Sequence, residues 1–246
     1  AGVIEQLDLR RLPYIALAHP GHLDDDLARS LKESGCCKLE IGVQSVNRRT
    51  KDEVLDRPET TEQLERTFSA CERDGIPYML NHMFGLPGED EAEQLEAARR
   101  YAAHSPIRIG AYYLKYLPRT RINDIALERG LITPEEVESF ADGYFATVHS
   151  TEKLDPGLRR AYRSFETLNL LMPLLPRRLK PWLVESRLRR WLWLVPSLVR
   201  TGLDYFGGLV HRDHEPRVFG RYYRRWAVRA ILIRLGLRRY HEEVRP

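Results

Sequence analysis

Two short stretches stand out as places where a ligand could be held. The apolar run ending at Phe84 stops at Gly85-Leu86-Pro87-Gly88 and is followed at once by Glu89, Asp90 and Glu91. Glycines there let the backbone approach a ligand without a Cβ in the way, and Pro87 stiffens the bend. The three acids fall where the first turn of a following helix belongs, and the helix dipole favours them. A phosphate at that helix end would meet anions instead of bare N–H groups. The loop therefore suits a flat group that is uncharged or cationic, or else it is a tight turn with no ligand; the motif alone leaves both readings open. The second stretch is Gly42-Val43-Gln44-Ser45, whose amide and hydroxyl can bond hydroxyls or a carboxylate.

Other chemistry-bearing residues read more plainly. His19 and His22 lack a third metal ligand at a recognisable spacing and precede three aspartates that suit a helix start, so they read as a loop, with His19 facing the same rim. Asn81 and His82 fall on opposite faces of one apolar segment, and one of them must point away from the helices, where a polar group wants a partner. Tyr112, Tyr113 and Tyr116 carry the same ambiguity. His211 and His214 read as a solvated turn. Cys36 and Cys37 are adjacent and Cys71 lies far from both, which gives neither a disulfide framework nor a metal-ligand spacing. No catalytic residue and no metal ligand is assigned.

Positioning these residues requires elements, and the chain supplies them in alternation. Strands are predicted over 12–20, 37–45, 76–85 and 108–118. Helices are predicted over 24–35, 60–75 and 90–104, with Gly35 and Gly75 as C-terminal stops and Thr60 or Thr61 as a cap. The segment RRTKDEVLDRPE (48–59) reads as a linker. Four strands alternating with three helices mean parallel strands with right-handed crossovers, and the loops leaving the strands' carboxyl ends form one binding face. Beyond about residue 122 the rhythm breaks. A helix is predicted over 133–149 behind Thr133 and Pro134, and Arg- and Trp-rich amphipathic segments follow from residue 158.

The composition is that of a globular protein, 43% hydrophobic and 30% charged. Residues 177–246 hold 17 Lys and Arg against 6 Asp and Glu, a balance of +11 that leaves −7 on the preceding 176 residues of a chain whose total is +4. Such a tail suits an anionic partner. Its interleaved Arg and Trp fit a lipid surface, nucleic acid, or a helical cap that packs its Trp and Leu inward, with the membrane surface preferred over nucleic acid. In the C-terminal part the uncharged runs 167–176 and 191–199 are ten and nine residues, about half a membrane span. Three cysteines fit a reducing, cytoplasmic setting. The opening AGVIEQLDLRRLPYI has no initiating Met and no signal-type core, so the chain is expected to be part of a longer one.

Taken in order, LPYIALAHPGHLDDDLARSLKESGCCKLEIGVQS, RRTKDEVLDRPETTEQL, HMFGLPGEDEAE and LKYLP, over roughly residues 10–125, resemble the radical S-adenosylmethionine (radical SAM) superfamily. The likeness is greatest to cobalamin-dependent members with an elongator-protein-3 or MiaB-like fold domain. It implies an α/β incomplete TIM-type barrel over 1–125, followed by a helical, basic region over 126–246. It also implies S-adenosylmethionine (SAM) and a four-iron four-sulfur cluster that cleaves it reductively to a 5'-deoxyadenosyl radical, or a cobalamin that relays a methyl group. By the same resemblance, Gln44 and Ser45 contact the ribose or methionine part of SAM. The backbone of Phe84, Gly85, Leu86, Pro87 and Gly88 passes its adenine.

Departures from the family pattern matter equally. CxxxCxxC and the Gly-Gly-Glu segment are absent, Pro118-Arg119-Thr120 replaces Pro-Gly-Thr, and Gln44-Ser45 replaces Glu-Ser. The resemblance then implies a chain that begins before the third barrel strand, whose first strand has a bare apolar edge. The parent polypeptide is expected to be the enzyme, with cluster ligands and any cobalamin domain upstream, and this piece to be inactive alone. A lipid-like substrate and methyl transfer are expected; a noncatalytic module and an RNA-modifying radical SAM protein are the alternatives.

Overall fold

Turn chemistry sets the order of elements before any packing does. In the computed structural model, residues 13–117, 119–141 and 155–213 are described. Strand β1 (Tyr14–Ala18) leads to helix α1 (Asp25–Glu33), which Asp24 caps by accepting the Leu27 N–H at 2.8 Å. Gly35, at φ 97°, turns the chain into β2 (Cys36–Gln44). Helix α2 (Thr61–Arg73) opens with a reciprocal Thr60–Gln63 capping box, and Gly75, at φ 61°, releases it towards β3 (Tyr78–Phe84). Asp90 caps α3 (Glu91–Ala102), and β4 (Arg108–Tyr113) follows.

The four strands form one parallel sheet in the order β1-β2-β3-β4. This is the α/β fold of parallel strands that the sequence predicts. Strand and helix bounds fall within a few residues of expectation, except that the last strand ends at Tyr113 and not at residue 118. The predicted linker also differs: Arg48–Thr50 forms a helical turn that continues as a π-helical turn over Lys51–Leu55.

One face of the sheet carries the main core. Leu39, Ile41, Val43, Leu80 and Phe84 pack against Phe68 of α2 and against Ala97, Ala98 and Tyr101 of α3. Beyond the sheet come α4 (Arg121–Glu128), α5 (Pro134–Ala141), α6 (Pro156–Leu171) and α7 (Leu179–Glu185), then a 3-10 helix over Arg187–Leu194 and α8 (Ser197–Val210). The helix predicted over 133–149 starts as expected, with Thr133 Oγ1 accepting the Glu136 N–H; its last eight residues lie outside the described ones. Tyr162, Phe165 and Leu168 of α6 join the core, each worth about 1.5–3 kcal/mol on burial. The chain divides into two compact units, Ala1–Pro196 and Ser197–Pro246. No described helix is long and apolar enough to cross a membrane.

Candidate functional site at the strand ends

Alternation along the strands sorts the polar residues by face. His82 turns towards the helices, where its Nδ1 lies 2.9 Å from the Tyr101 hydroxyl and its Nε2 2.8 Å from Gln94 Oε1. Burial holds its pKa down to about 4, so the ring is neutral. Asn81 therefore faces the other way, and its Oδ1 is buried without a hydrogen-bond partner. Its register neighbours are Gly42 on β2 and Gly110 on β4, so one amide sits between two positions that have no side chain. At Gly110 the space is taken: a Cβ would stand 2.7 Å from Met79 Cε and 2.8 Å from the Tyr112 ring.

Gln44 borders this band. The β2–β3 register shifts between Gly42 and Gln44, and Gln44 adopts φ 62°, a left-handed conformation that costs a non-glycine residue about 1–2 kcal/mol. Its Nε2 lies 3.2 Å from where a Gly42 Cβ would stand, so the missing side chain lets the amide fold over the sheet. Ser45, beside it, is buried, and its Oγ accepts the Asn47 N–H at 3.2 Å.

The Gly85–Gly88 loop closes the rim. Gly85 and Gly88 sit at φ 82° and 80°, and nothing lies within 4 Å of a Gly85 Cβ position. Phe84 turns its ring to the helices and stacks on Tyr162, centroids 4.9 Å apart, so only its backbone is at the rim. Leu86 joins a second apolar cluster with Leu114, Tyr116 and Ala126, and the Pro87 carbonyl accepts from Arg129 Nη1 at 2.8 Å. Tyr113 packs near Phe84 and Tyr162, whereas Tyr112 is exposed on the sheet face that carries Asn81.

Sequence reasoning placed Glu89 in the helix start, and the structure overturns that. Asp90 is the cap; Glu89 points inward, where its Oε2 accepts the N–H groups of Gly85 at 2.8 Å and Leu86 at 3.3 Å. The same oxygen accepts from Tyr162 Oη at 2.7 Å, while Gln94 Nε2 donates to Oε1. Desolvation by burial pushes its pKa up to about 7, against the Tyr162 and backbone bonds that lower it. An acid looks the same in sequence whether it caps a helix or braces a loop from beneath.

A second buried acid was also missed. The Glu59 side chain is fully buried with Arg57 Nε at 2.9 Å, His19 Nε2 at 3.3 Å and Lys51 Nζ at 3.4 Å, ion-pair distances that lack hydrogen-bond alignment at the carboxylate. Arg57 Nη2 reaches past it to the Gly42 carbonyl at 2.7 Å, which ties this cluster to the Gln44 end of β2. His19 Nδ1 accepts the Gly21 N–H at 3.1 Å, and burial is the first cause holding its pKa below the usual value. His19 is thus a brace for the rim, and the His22 ring lies tilted against it with ring centroids 5.0 Å apart.

The cysteines do not fit an iron-sulfur cluster at this rim. Cys36 and Cys37 stand at the start of β2, the end opposite Gln44, and bond the carbonyls of Lys38 and Tyr14. Cys71 is buried in α2, and desolvation pushes its thiol up to about 12, far from the thiolate a metal needs. Among the described residues no group of three or more His, Cys, Asp or Glu side chains could hold a metal ion. What the rim offers is side-chain amides and backbone free of nearby side chains at Gly85.

In parallel α/β sheets ligands bind beyond the strands' carboxyl ends, where Gln44 and the Gly85–Gly88 loop lie. Residues 3–101 match the family model of the radical SAM superfamily. Among solved structures, the chain is similar to the radical S-adenosylmethionine methyltransferase TsrM from Kitasatospora setae, bound to cobalamin and a [4Fe-4S] cluster: 24% identity, 49% of this chain and 24% of that one, TM-score 0.45. It is also similar to Elp3 of the archaeon Methanocaldococcus infernus (15% identity, 58% and 33% coverage, TM-score 0.43). Coproporphyrinogen III oxidase (HemN) from Escherichia coli, a radical SAM enzyme, matches at 17% identity, 63% and 38% coverage and TM-score 0.44. The chain thus spans between 24% and 38% of the length of these structures. No curated protein matches it.

Proposed function

We propose that the chain is the SAM-holding part of a radical SAM enzyme, with the functional division near residue 125. In this reading the Gln44 and Asn81 amides hold the ribose and methionine groups, and the adenine lies along the Gly85–Gly88 backbone, with Ser45 fixing the turn behind Gln44. The observation that carries it is the buried Asn81 Oδ1, left unbonded between two glycines beside a strained glutamine. A buried carbonyl oxygen without a donor costs about 1–3 kcal/mol, a cost that a ligand hydroxyl or amine at that place would remove.

The cluster ligands, and a cobalamin if the parent chain binds one, belong upstream; SAM bound here supplies either a methyl group or a 5'-deoxyadenosyl group to the reaction. The role of these residues is to orient SAM and to exclude water from it. A lipid-like metabolite is the proposed substrate, and methyl transfer the proposed reaction. Ile15 and Leu17, exposed at 48% and 79%, lie on the sheet face that also carries Met79, Met83 and Asn81, which supports an apolar substrate beside a polar cofactor. The proposed setting is the cytoplasmic side of a membrane, with the basic C-terminal region at the lipid surface.

S-adenosylhomocysteine, titrated calorimetrically into the chain, tests the cofactor site. Saturable binding, weakened about tenfold by Asn81→Leu, is expected for the loss of one or two hydrogen bonds. Binding that Asn81→Leu and Gln44→Ala both leave unchanged would overturn the assignment.

A further inference from the structure

The 3-10 helix over Arg187–Leu194 is long for its kind, and its threefold repeat sorts its residues into three stripes. Leu188, Trp191 and Leu194 form one stripe, 55%, 63% and 55% exposed. Arg189 and Leu192 form the inward stripe. Leu192 packs on the core, and the Arg189 side chain is 11% exposed with its Nε buried and without a hydrogen-bond partner. Arg187, Arg190 and Trp193 form the third. Two bonds hold the helix to α6: the Trp193 N–H donates to Ser164 Oγ at 3.1 Å, and Thr167 Oγ1 donates to the Leu192 carbonyl at 3.2 Å.

Between this helix and α6 lies a cleft of about 370 Å³, lined among others by Arg160, Arg189, Arg190, Trp193 and Glu91. Three guanidinium groups thus face one carboxylate. That carboxylate is a weak offset, since Arg189 Nη2 stands 3.7 Å from Glu91 Oε1, beyond hydrogen-bond reach. The Arg160 guanidinium sits 5.9 Å from the Trp193 ring centroid, and its Nε spends one bond on the Pro156 carbonyl at 3.2 Å. A nearly buried guanidinium with an unspent N–H wants an anion, and the fork geometry of arginine suits phosphate.

We propose that this cleft binds the phosphate of an anionic phospholipid while Leu188, Trp191 and Leu194 enter the acyl region of the same leaflet. The two surfaces are adjacent faces of one helix: Arg190 and Trp193 turn into the cleft while their neighbours Trp191 and Leu194 turn outward. A phospholipid offers both halves at once, an anion and a hydrocarbon chain joined to it. A nucleic acid offers the anion but would leave the two leucines in water. Helix α7 turns Leu179 and Trp182 outward as well, with Arg177 and Arg178 just before it. The inference rests on the proposed membrane contact of the C-terminal region and specifies where, and through which chemical group, that contact is made.

Flotation of the full chain with phosphatidylcholine vesicles, with and without phosphatidylglycerol, tests this. Binding to the anionic vesicles alone is expected, falling as salt rises. Arg190→Gln should weaken it about fivefold, near the contribution of one basic side chain at an anionic surface. Trp191→Asp should abolish it. Both residues are exposed, so both variants fold, and circular dichroism confirms that in the same samples. Equal binding to both vesicle types, or anionic binding that neither substitution changes, overturns the proposal. Inorganic phosphate titrated without vesicles provides a second arm: Arg190-dependent phosphate binding with no flotation marks a soluble anion site, and tighter binding of tRNA than of vesicles marks nucleic acid, either of which also overturns it. S-adenosylhomocysteine binding measured on the same preparations separates the two readings. Flotation lost with that binding intact sinks the lipid site alone.

Discussion

Tyr162 of α6 donates its phenolic hydrogen to Glu89 Oε2 at 2.7 Å while its ring stacks on Phe84, so α6 reaches the rim loop through one bond and one aromatic face. The acceptor is the oxygen that also holds the Gly85 and Leu86 N–H groups. Whatever disturbs this oxygen disturbs the loop proposed to lie along the adenine.

Tyr162→Phe keeps the stacked ring and removes only the hydroxyl. It should cost about 1–3 kcal/mol, the range for leaving a buried acceptor one donor short. Because the Tyr162 bond lowers the Glu89 pKa, its loss should also carry that pKa further above about 7. Urea unfolding of both proteins at pH 8 measures the first effect; an unchanged midpoint with an unchanged slope refutes it.

Glu89 also gives stability a pH dependence. Its folded pKa is raised by burial to about 7 from a usual 4.5, so the folded protein prefers the protonated form. The stability this contributes is full below about pH 4.5 and is lost as pH rises through about 7. Glu89→Gln does not titrate. The stability difference, wild type minus Glu89→Gln, should therefore shrink as pH rises from 4.5 to 7, and chemical denaturation at half-unit intervals reads it. A flat difference over that window, or one that grows, would show that the four donors around the carboxylate outweigh its desolvation.

Much of this architecture is legible in the sequence because it is written in local chemistry. The Thr60–Gln63 capping box and Gly35 and Gly75 at helix ends mark three boundaries by residue type alone. The site is less legible because its decisive facts are tertiary. Asn81 and His82 lie in a segment that is apolar at every other position, so period-two alternation separates their faces without saying which face meets the helices; Tyr101 and Gln94, some twelve to nineteen residues on, decide it. Glu59 is one acid in a charged stretch, and its pairing with Arg57, Lys51 of the π-helical turn and His19 beyond β1 depends on residues up to forty positions away. The Leu188, Trp191 and Leu194 stripe has a period of three, which a search for helical period 3.6 reads as a smear.

Gln44 should show opposite effects on stability and on ligand binding. Gln44→Gly relieves φ 62° and should stabilise the protein by up to about 1 kcal/mol, because glycine adopts that conformation without strain. The same change deletes the amide proposed to hold SAM, so S-adenosylhomocysteine affinity should fall about tenfold. Thermal melts and calorimetry on one preparation read both. A variant that is destabilised as well as weakened would show that the Gln44 side chain holds the strand end together and has no separate ligand role.

The two glycines of the rim loop should differ in what they tolerate. Both hold left-handed φ near 80°, so alanine at either costs about 1–2 kcal/mol from the backbone alone. At Gly85 that is the whole cost, since nothing lies within 4 Å of the added Cβ. At Gly88 the Cβ would stand 2.6 Å from Arg129 Nη1, which bonds the Pro87 carbonyl at 2.8 Å and would have to leave it. Gly88→Ala should therefore destabilise the protein by about 1 kcal/mol more than Gly85→Ala, the worth of that displaced hydrogen bond. In an Arg129→Ala background the bond is already gone and the extra cost should vanish, whereas Gly85→Ala should be additive with Arg129→Ala. If Gly88→Ala costs the same in both backgrounds, the arginine swings aside freely and the Pro87 bond contributes nothing to the loop.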